Sequence, residues 1–282
     1  MSLPAFRSAL YVPGSRPELF AKALAGDADA VIVDLEDAVA ASVKAKARAA
    51  AAELVSAQQV KPVFVRVNGI GSGLVEDDVE GLAGPGLAGI RLPKVESAGD
   101  VARAAALLRS AGLPAGVWCL IESAIGLERS FEIAAAEWTN GIALGEADLR
   151  ASLRVAPAGL DYARSRCVAC ARAAGLPSPL QSVYADVRDL EGLRRSSEHG
   201  RALGFFGRAA IHPAQVGTIN DVFTPTEREI EAARELTTAL DTALVDDVGA
   251  LALPDGRFID RAVAEQARET VALAERLEGR KP

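Results

Sequence analysis

The stretch Ala30-Val-Ile-Val-Asp-Leu-Glu-Asp37 is a short apolar run that ends in acidic residues. Such a run is typical of a parallel strand that is covered on both faces. Its strand portion is 30–35, and seven further short, mostly apolar runs rich in Val, Ile and Leu follow the same pattern: 8–12, 63–67, 89–92, 117–121, 141–144, 181–184 and 207–211. Helical segments such as 43–54, 101–110, 127–136 and 190–203 alternate with them. Eight such βα units predict an α/β fold, a (β/α)8 TIM barrel over residues 1–220. A doubly wound sheet is the alternative, but it normally has fewer strands.

The tail, residues 221–282, has a different character. Thr224-Pro-Thr-Glu227 is typical of a capping box with Pro at the first helical position, opening a helix to about residue 240. Pro254-Asp-Gly256 predicts a turn, and a final helix is expected over 261–277. The tail is therefore predicted to be a C-terminal helical appendage to the barrel.

Composition excludes several classes of protein. The 282 residues are half apolar and carry a net charge of −7, which argues against general nucleic-acid binding. The N-terminus lacks a signal-peptide core and no run reaches transmembrane length, so we expect a soluble, cytoplasmic protein without membrane contact. Cys167 and Cys170 form a CxxC in a helical stretch, where buried helix residues are favoured over a redox or zinc site. Two histidines exclude a histidine-rich metal centre.

Polar residues follow most of the predicted strands directly. In chain order they are Glu36, Asp37, Arg66, Asn68, Lys94, Glu122, Glu146, Asp148 and His212. Barrel enzymes build their active sites at the C-terminal ends of the strands. Each residue taken alone could equally be a loop residue or a helix cap, but the ring as a whole favours an active site.

Glu122 and Asp148 end neighbouring predicted strands, where two carboxylates can converge on one ion. With no His or Cys nearby, an all-oxygen site suits Mg²⁺, and Mn²⁺ is possible. The alternative is an ordinary strand-end charge and a helix cap. Arg66 offers a rigid fork that suits a carboxylate. An internal ion pair between Arg66 and Glu36 is an equally good interpretation.

Several ordered motifs resemble one family. They are Arg7-Ser-Ala-Leu-Tyr-Val-Pro-Gly14, Asp34-Leu-Glu-Asp-Ala-Val39, Arg66-Val-Asn68, Leu92-Pro-Lys-Val-Glu-Ser97, Ile121-Glu122, Gly145-Glu-Ala-Asp148 and Ala210-Ile-His-Pro213. Together they resemble the citrate lyase β-subunit family, relatives of malyl-CoA and citramalyl-CoA lyases. They run in order through nearly the whole predicted barrel.

The resemblance implies Mg²⁺ on Glu122 and Asp148. It also implies that Arg66 binds the substrate carboxylate. From their positions, Lys94 and Arg16 are further candidates for substrate binding, and Glu36 and Asp37, as possible partners of Arg66, are placed with it in the catalytic set. The resemblance further implies a trimer-based homo-oligomer, in which the appendage packs on a neighbouring subunit. There Asp260 would reach the neighbour's site as a catalytic acid or base, although Asp260 also stands where a cap of the last helix belongs. One departure concerns Leu180-Gln-Ser-Val183, where family members commonly carry an Asp.

The expected activity is that of a Mg²⁺-dependent carbon–carbon lyase. It would cleave or form a 3-hydroxyacyl thioester such as citryl-, malyl- or citramalyl-CoA, or the acyl-carrier-protein equivalent. The products would be an acyl thioester and a keto-acid, namely oxaloacetate, glyoxylate or pyruvate. Three alternatives stay open: a metal-dependent aldolase acting on free hydroxy-keto-acids, a malyl thioesterase, and a non-catalytic subunit of a lyase complex.

Overall fold

The computed structural model describes residues 6–82, 84–245, 251–252, 258–259 and 261–278. Two compact units divide the chain between Phe223 and Thr224. The described residues of the first unit form eight strands: β1 (Ser8–Pro13), β2 (Ala30–Asp34), β3 (Val63–Arg66), β4 (Leu87–Leu92), β5 (Gly116–Ile121), β6 (Thr139–Leu144), β7 (Leu180–Gln181) and β8 (Gly207–Ala210). Its α-helices are α1 (Phe20–Ala25), α2 (Lys44–Val55), α3 (Val75–Glu80), α4 (Ala98–Ser110), α5 (Ala124–Glu128), α6 (Ser130–Ala134), α7 (Glu146–Leu153), α8 (Asp161–Ala173), α9 (Leu190–Ala202) and α10 (Pro213–Phe223).

The eight strands form one parallel sheet in the order β6-β5-β4-β3-β2-β1-β8-β7. Within the described residues no backbone ladder joins β6 to β7, so the barrel is nearly closed. The backbone N–H of Glu146 donates to Ser182 Oγ at 3.2 Å and links the ends of these two strands. The predicted (β/α)8 barrel is confirmed. Strand β7 is shorter than expected, because it forms backbone hydrogen bonds with β8 alone.

The strands are buried on both faces, as their apolar sequences predict. In β2, Val31 and Val33 belong to the large cluster of buried side chains that includes the inner faces of the helices. The intervening Ile32 belongs to a second cluster inside the barrel, together with Phe64. This alternation follows from the period of two in a strand. Phe64 also makes edge-to-face contacts with Phe6 at 5.7 Å and Trp118 at 5.3 Å between ring centroids. These rings fill the lower part of the barrel, so the accessible space lies at the C-terminal strand ends.

One predicted helix differs from the structure. The segment 127–136, expected to be continuous, is two short helices that meet at Arg129. The Ser130 hydroxyl donates to the backbone carbonyls of Leu127 at 2.6 Å and Gly126 at 3.2 Å. Such bonds compete with the regular helical pattern and explain the break. The prediction for the cysteines holds, since Cys167 and Cys170 are unpaired and buried on α8, and burial raises the pKa of both thiols.

The second unit, from Thr224 onward, contains α11 (Glu227–Val245), α12 (Arg261–Glu278) and the two antiparallel strands β9 (Leu251–Ala252) and β10 (Phe258–Ile259). The helical appendage is therefore confirmed. A reciprocal capping box is present, but Thr226 and Glu229 form it rather than Thr224 and Glu227: each backbone N–H donates to the other side chain, at 2.7 and 3.2 Å. Asp260 lies outside the described residues. Nowhere in the described chain is a helix both long and apolar enough to cross a membrane.

Candidate active site

A cavity of about 460 Å³ opens at the C-terminal ends of the barrel strands. It brings together Arg66, Asp37, Glu122, Glu146 and Asp148 from four different strand ends. The lining of this cavity also includes Tyr11, Asp34, Arg91, Gly145, Gln181 and Ser182. A second cavity of about 780 Å³ shares Asp37 with the first and is lined by Glu36, Lys44, Asn68 and Lys94. Eight of the nine polar residues singled out at the strand ends therefore line one or other of these two adjoining cavities, and His212 lines neither.

Arg66 is held by a carboxylate that the sequence analysis did not assign. Asp34 accepts two parallel hydrogen bonds from Arg66, to Nε at 2.7 Å and to Nη2 at 2.6 Å. Asp34 is 2% exposed and is fixed in turn by the backbone N–H groups of Glu36 and Ala38. Burial alone would lower the pKa of Arg66, but the hydrogen bonds and charge of Asp34 raise it above its ordinary value. The guanidinium is therefore a fixed cation in the cavity wall.

Glu36 links Arg66 to Lys94. Its Oε1 accepts a hydrogen bond from Lys94 Nζ at 2.6 Å, and its Oε2 lies 2.9 Å from Arg66 Nη1. The internal Arg66–Glu36 ion pair considered from the sequence is therefore present. Oε2 is buried and accepts no hydrogen bond of good geometry among the described residues. Burial raises the pKa of Glu36, although Lys94 and Arg66 oppose the shift.

Glu122 lies at the end of β5, nearly buried at 7% exposure. Its Oε2 accepts a hydrogen bond from the backbone N–H of Lys94 at 2.8 Å. Lys94 adopts a left-handed conformation, with φ of 56°, which is costly for a non-glycine residue and is common at functional sites. Burial, and then the negative charge of Glu36, raise the pKa of Glu122 to about 7.

Asp148 lies in the first turn of α7 and is exposed to the cavity. Its negative charge contributes to the raised pKa of Glu122, so the two carboxylates lie close enough to interact. Gly145 approaches Glu122 closely, because a Cβ atom at this position would meet Glu122 Oε1 at 2.1 Å. The neighbouring Glu146 instead accepts two hydrogen bonds from Arg164, at 2.9 and 2.6 Å, and forms an ion pair with it.

These residues fit a divalent cation. Glu122 and Asp148 line one cavity, and burial and the negative charges of Glu36 and Asp148 disfavour the ionised form of Glu122 when no cation is bound. All donors are oxygens, which is the ligand set that Mg²⁺ prefers. Among the described residues no group of three or more His, Cys, Asp and Glu side chains converges on one point. A cation bound here would keep coordination positions for water or substrate oxygens.

Other sequence-based assignments lie apart from this cluster. Arg16 follows β1, so it belongs to the same end of the barrel, but it is 58% exposed, pairs with Glu18 and lines neither cavity described above. His212 is exposed, and its Nδ1 accepts the backbone N–H of Ala214 at the start of α10.

The family departure at strand β7 has a clear structural setting. Gln181 is buried, and its side chain donates to the backbone carbonyl of Ser196 at 3.1 Å and accepts from Arg208 at 3.2 Å. Arg208 also donates to the hydroxyl of Ser196 at 2.8 Å. Burial lowers the pKa of Arg208 to about 10. Ser182 lines the cavity, so a neutral hydroxyl takes part in the wall at this point.

Asp34 and Arg91 were assigned no role from the sequence, although Asp34 lies in one of the motifs that resemble the family. Both lie within strands, in register with Arg66: Asp34 pairs with Arg66 across β2 and β3, and Arg66 pairs with Arg91 across β3 and β4. The available signal was the period-two pattern, which leaves a charged residue at an inward position of three consecutive strands.

Comparison with known proteins identifies relatives along nearly the whole chain. A (3S)-malyl-CoA thioesterase of Cereibacter sphaeroides (strain ATCC 17025 / ATH 2.4.3) is 39% identical over 276 residues, covering 96% of this chain and 95% of the relative. A citrate lyase subunit beta-like protein of Deinococcus radiodurans is 36% identical over 272 residues, covering 93% and 95%. The chain is therefore similar both to a protein named as a thioesterase and to one named for a citrate lyase subunit.

The fold is shared with CitE from Mycobacterium tuberculosis, a structure in complex with magnesium, acetoacetate and coenzyme A. The TM-score is 0.80 at 33% identity, and the match covers 96% of this chain and 98% of that one. A structure named as the citrate lyase beta subunit of M. tuberculosis, complexed with oxaloacetate and magnesium, matches with a TM-score of 0.68 at 34% identity, covering 78% and 98%. Residues 7–213 match the sequence model described as HpcH/HpaI aldolase/citrate lyase. The chain belongs to the HpcH/HpaI aldolase/citrate lyase family.

Proposed function

We propose that this protein is a Mg²⁺-dependent lyase that cleaves or forms the carbon–carbon bond of a 3-hydroxyacyl thioester. The single observation that carries the proposal is the pairing of Glu122 and Asp148 beside the fixed cation Arg66 in one cavity. A keto-acid presents a carboxylate next to a carbonyl oxygen, and such a site offers a metal and a guanidinium to those two groups. Oxaloacetate is such a 2-keto-acid, and the M. tuberculosis structure with magnesium and oxaloacetate supports this choice of ligand.

Glu122 and Asp148 would hold the metal, which, when bound, supplies Lewis-acid polarisation of the substrate oxygen next to the carboxylate. Mn²⁺ fits the same oxygen donors. Arg66 would orient the substrate carboxylate, because its pairs with Asp34 and Glu36 fix its position and keep it charged. Lys94 holds Glu36 in the cavity wall from the opposite side.

The bond changes balance within the substrate. In the cleavage direction a base removes the proton of the 3-hydroxyl group, the C2–C3 bond breaks, and its electron pair passes to the α-carbon of the thioester. A proton delivered to that carbon completes the acyl thioester, and the former hydroxyl carbon becomes the carbonyl of the keto-acid. Glu36 and Asp37 lie beside Arg66 and are candidates for moving the hydroxyl proton.

On the strength of the family resemblance, we assign to Asp260 the transfer of the proton to or from the α-carbon of the thioester. In that assignment the appendage of one subunit completes the site of another within a trimer-based assembly. Arg16, at the β1 end of the barrel, is the candidate contact for the thioester carrier, which is either CoA or an acyl carrier protein. The relatives' names include CoA substrates, which favours CoA.

A second candidate function is hydrolysis of a malyl thioester, because the relative that is 39% identical is named as a (3S)-malyl-CoA thioesterase. The same residues could position the substrate while water captures the acyl group. An aldolase acting on free hydroxy-keto-acids is a further alternative, and it would not need Asp260. A non-catalytic subunit of a lyase complex would show no turnover on its own.

One product analysis separates these activities. The purified chain is incubated with Mg²⁺ and malyl-, citramalyl- or citryl-CoA, and with a free hydroxy-keto-acid. A keto-acid plus an acyl-CoA supports the lyase, free CoA plus a hydroxy diacid supports the thioesterase, and cleavage of the free hydroxy-keto-acid alone supports the aldolase. Glu122→Gln and removal of Mg²⁺ with EDTA are the controls. Turnover that survives both would refute the metal site, and no turnover of any substrate would refute the lyase.

A further inference from the structure

Arg91 is a buried cation in the cavity wall that has no anionic partner. It lies on β4, is 5% exposed, and lines the same cavity as Arg66, Glu122 and Asp148. Its Nε is buried without a hydrogen-bond partner, and no ion pair or hydrogen bond joins its side chain to any described residue. The contact that the structure gives its guanidinium is the ring of Tyr11, 5.9 Å from the ring centroid.

The other largely buried arginines of the described chain are satisfied. Arg66 bonds to Asp34 at two points, and Arg164 bonds to Glu146 at two points. Arg208 donates to Gln181 and Ser196. A buried charge without hydrogen bonds is costly, and a cation–π contact recovers only part of that cost. Arg91 is therefore placed to bind a group that comes into the cavity from outside.

The shape of the side chain defines that group. A guanidinium presents parallel N–H donors that match a carboxylate at two points. Arg91 is in register with Arg66 on the neighbouring strand, and both guanidinium groups approach the same Tyr11 ring, at 5.2 and 5.9 Å. Arg66 is already surrounded by Asp34, Glu36 and Asp37. An anion that enters beside Arg66 would therefore meet its strongest uncompensated attraction at Arg91.

We propose that Arg91 is a specificity-determining residue that binds a second carboxylate of the substrate, so that the keto-acid of the reaction is a dicarboxylate. This inference rests on the proposed function. In it, Arg66 and the metal receive the carboxylate next to the carbonyl, and Arg91 receives the carboxylate at the other end. A monocarboxylic keto-acid leaves the Arg91 guanidinium unpaired.

Oxaloacetate and pyruvate form a matched pair of probes, because oxaloacetate is pyruvate with one added carboxylate. Each is titrated freshly dissolved, with Mg²⁺, into the wild-type chain, Arg91→Met and Arg91→Lys by calorimetry. Wild type is expected to bind oxaloacetate about 10- to 100-fold more tightly than pyruvate, the gain of a charge-assisted two-point contact. Arg91→Met should abolish that preference and change pyruvate binding by less than about threefold. Arg91→Lys keeps the charge without the fork and should retain part of the preference.

The outcomes are distinguishable. Equal binding of the two probes by wild type, or an equal loss of both in Arg91→Met, would overturn the role of Arg91 while leaving the keto-acid site intact. No Mg²⁺-dependent binding of either probe to wild type would overturn the proposed function as well. If Arg91→Met does not fold, Arg91→Lys decides, because full retention of the preference without the two-point fork also contradicts the proposal.

Discussion

Binding of Mg²⁺ to the site is expected to weaken as the pH falls through neutrality, and Glu122 is the cause. Burial and the charge of Glu36 raise the pKa of Glu122 to about 7. The metal binds the carboxylate form only, so a proton competes with it below that pH. The affinity for Mg²⁺ is therefore greatest above about pH 7 and falls at lower pH. A fall in pH has the opposite effect on the stability of the metal-free protein. A group whose pKa is raised by folding stabilises the folded state when it is protonated, so Glu122 stabilises the fold more at low pH.

The size of the pH dependence follows from the raised pKa of Glu122. With a pKa of about 7, roughly nine-tenths of Glu122 is ionised at about pH 8 and roughly one-tenth at about pH 6. The apparent Kd scales inversely with the competent fraction, so it should rise about tenfold between these two pH values. In the metal-free protein, Glu122 also contributes to the free energy of unfolding. This contribution should fall by about 3 kcal/mol as the pH rises from 4.5, the ordinary pKa of a glutamate, to about 7.

Calorimetric titration of Mg²⁺ at about pH 6, 7 and 8 tests this prediction on wild type, Glu122→Gln and Asp148→Asn. Asp148→Asn is the matched control, since it removes one ligand from the same site but leaves the buried carboxylate. Asp148→Asn should bind Mg²⁺ more weakly and keep most of the pH dependence, because burial, the largest cause of the raised pKa of Glu122, is unchanged. Any Mg²⁺ binding that remains in Glu122→Gln should not vary with pH over this range. A wild-type Kd that changes less than about twofold over this range, or an unchanged slope in Glu122→Gln, would refute the reasoning.

Three further predictions concern other parts of the site. Asp260→Asn should lower turnover about 10²- to 10⁴-fold while Mg²⁺ and keto-acid binding persist; equal turnover would remove Asp260 from the reaction. Gly145→Ala should weaken Mg²⁺ binding at least about tenfold, because its Cβ would meet Glu122 Oε1 at 2.1 Å; the matched control Gly71→Ala, where nothing lies within 4 Å, should not. Asp34→Asn should cost about 3 kcal/mol in the free energy of unfolding, since it breaks a buried pair with a guanidinium. Thermal and urea unfolding measure that loss, and a change below about 0.5 kcal/mol, typical of a surface pair, would contradict it.

Much of the barrel could be predicted from the sequence because its local signals agree. The strands are short, doubly buried apolar runs, and each of the eight was located to within a few residues. The predicted helix boundaries were wrong where side chains form hydrogen bonds with the backbone. The hydroxyl of Ser130 divides one expected helix into two, and Thr226 and Glu229 move the start of α11 two residues along.

The sequence by itself determined the strand ends and thereby the set of polar residues at the mouth of the barrel. Parallel strands place their C-terminal ends at the same edge, so Arg66, Glu122 and Asp148 had to share one side of the molecule. Only the tertiary structure decided how these charges are paired. The register of three neighbouring strands gives Asp34 to Arg66 and leaves Arg91 without a carboxylate. The physical reason is that pairing and burial depend on distances between strands, and no local pattern along a single strand contains those distances.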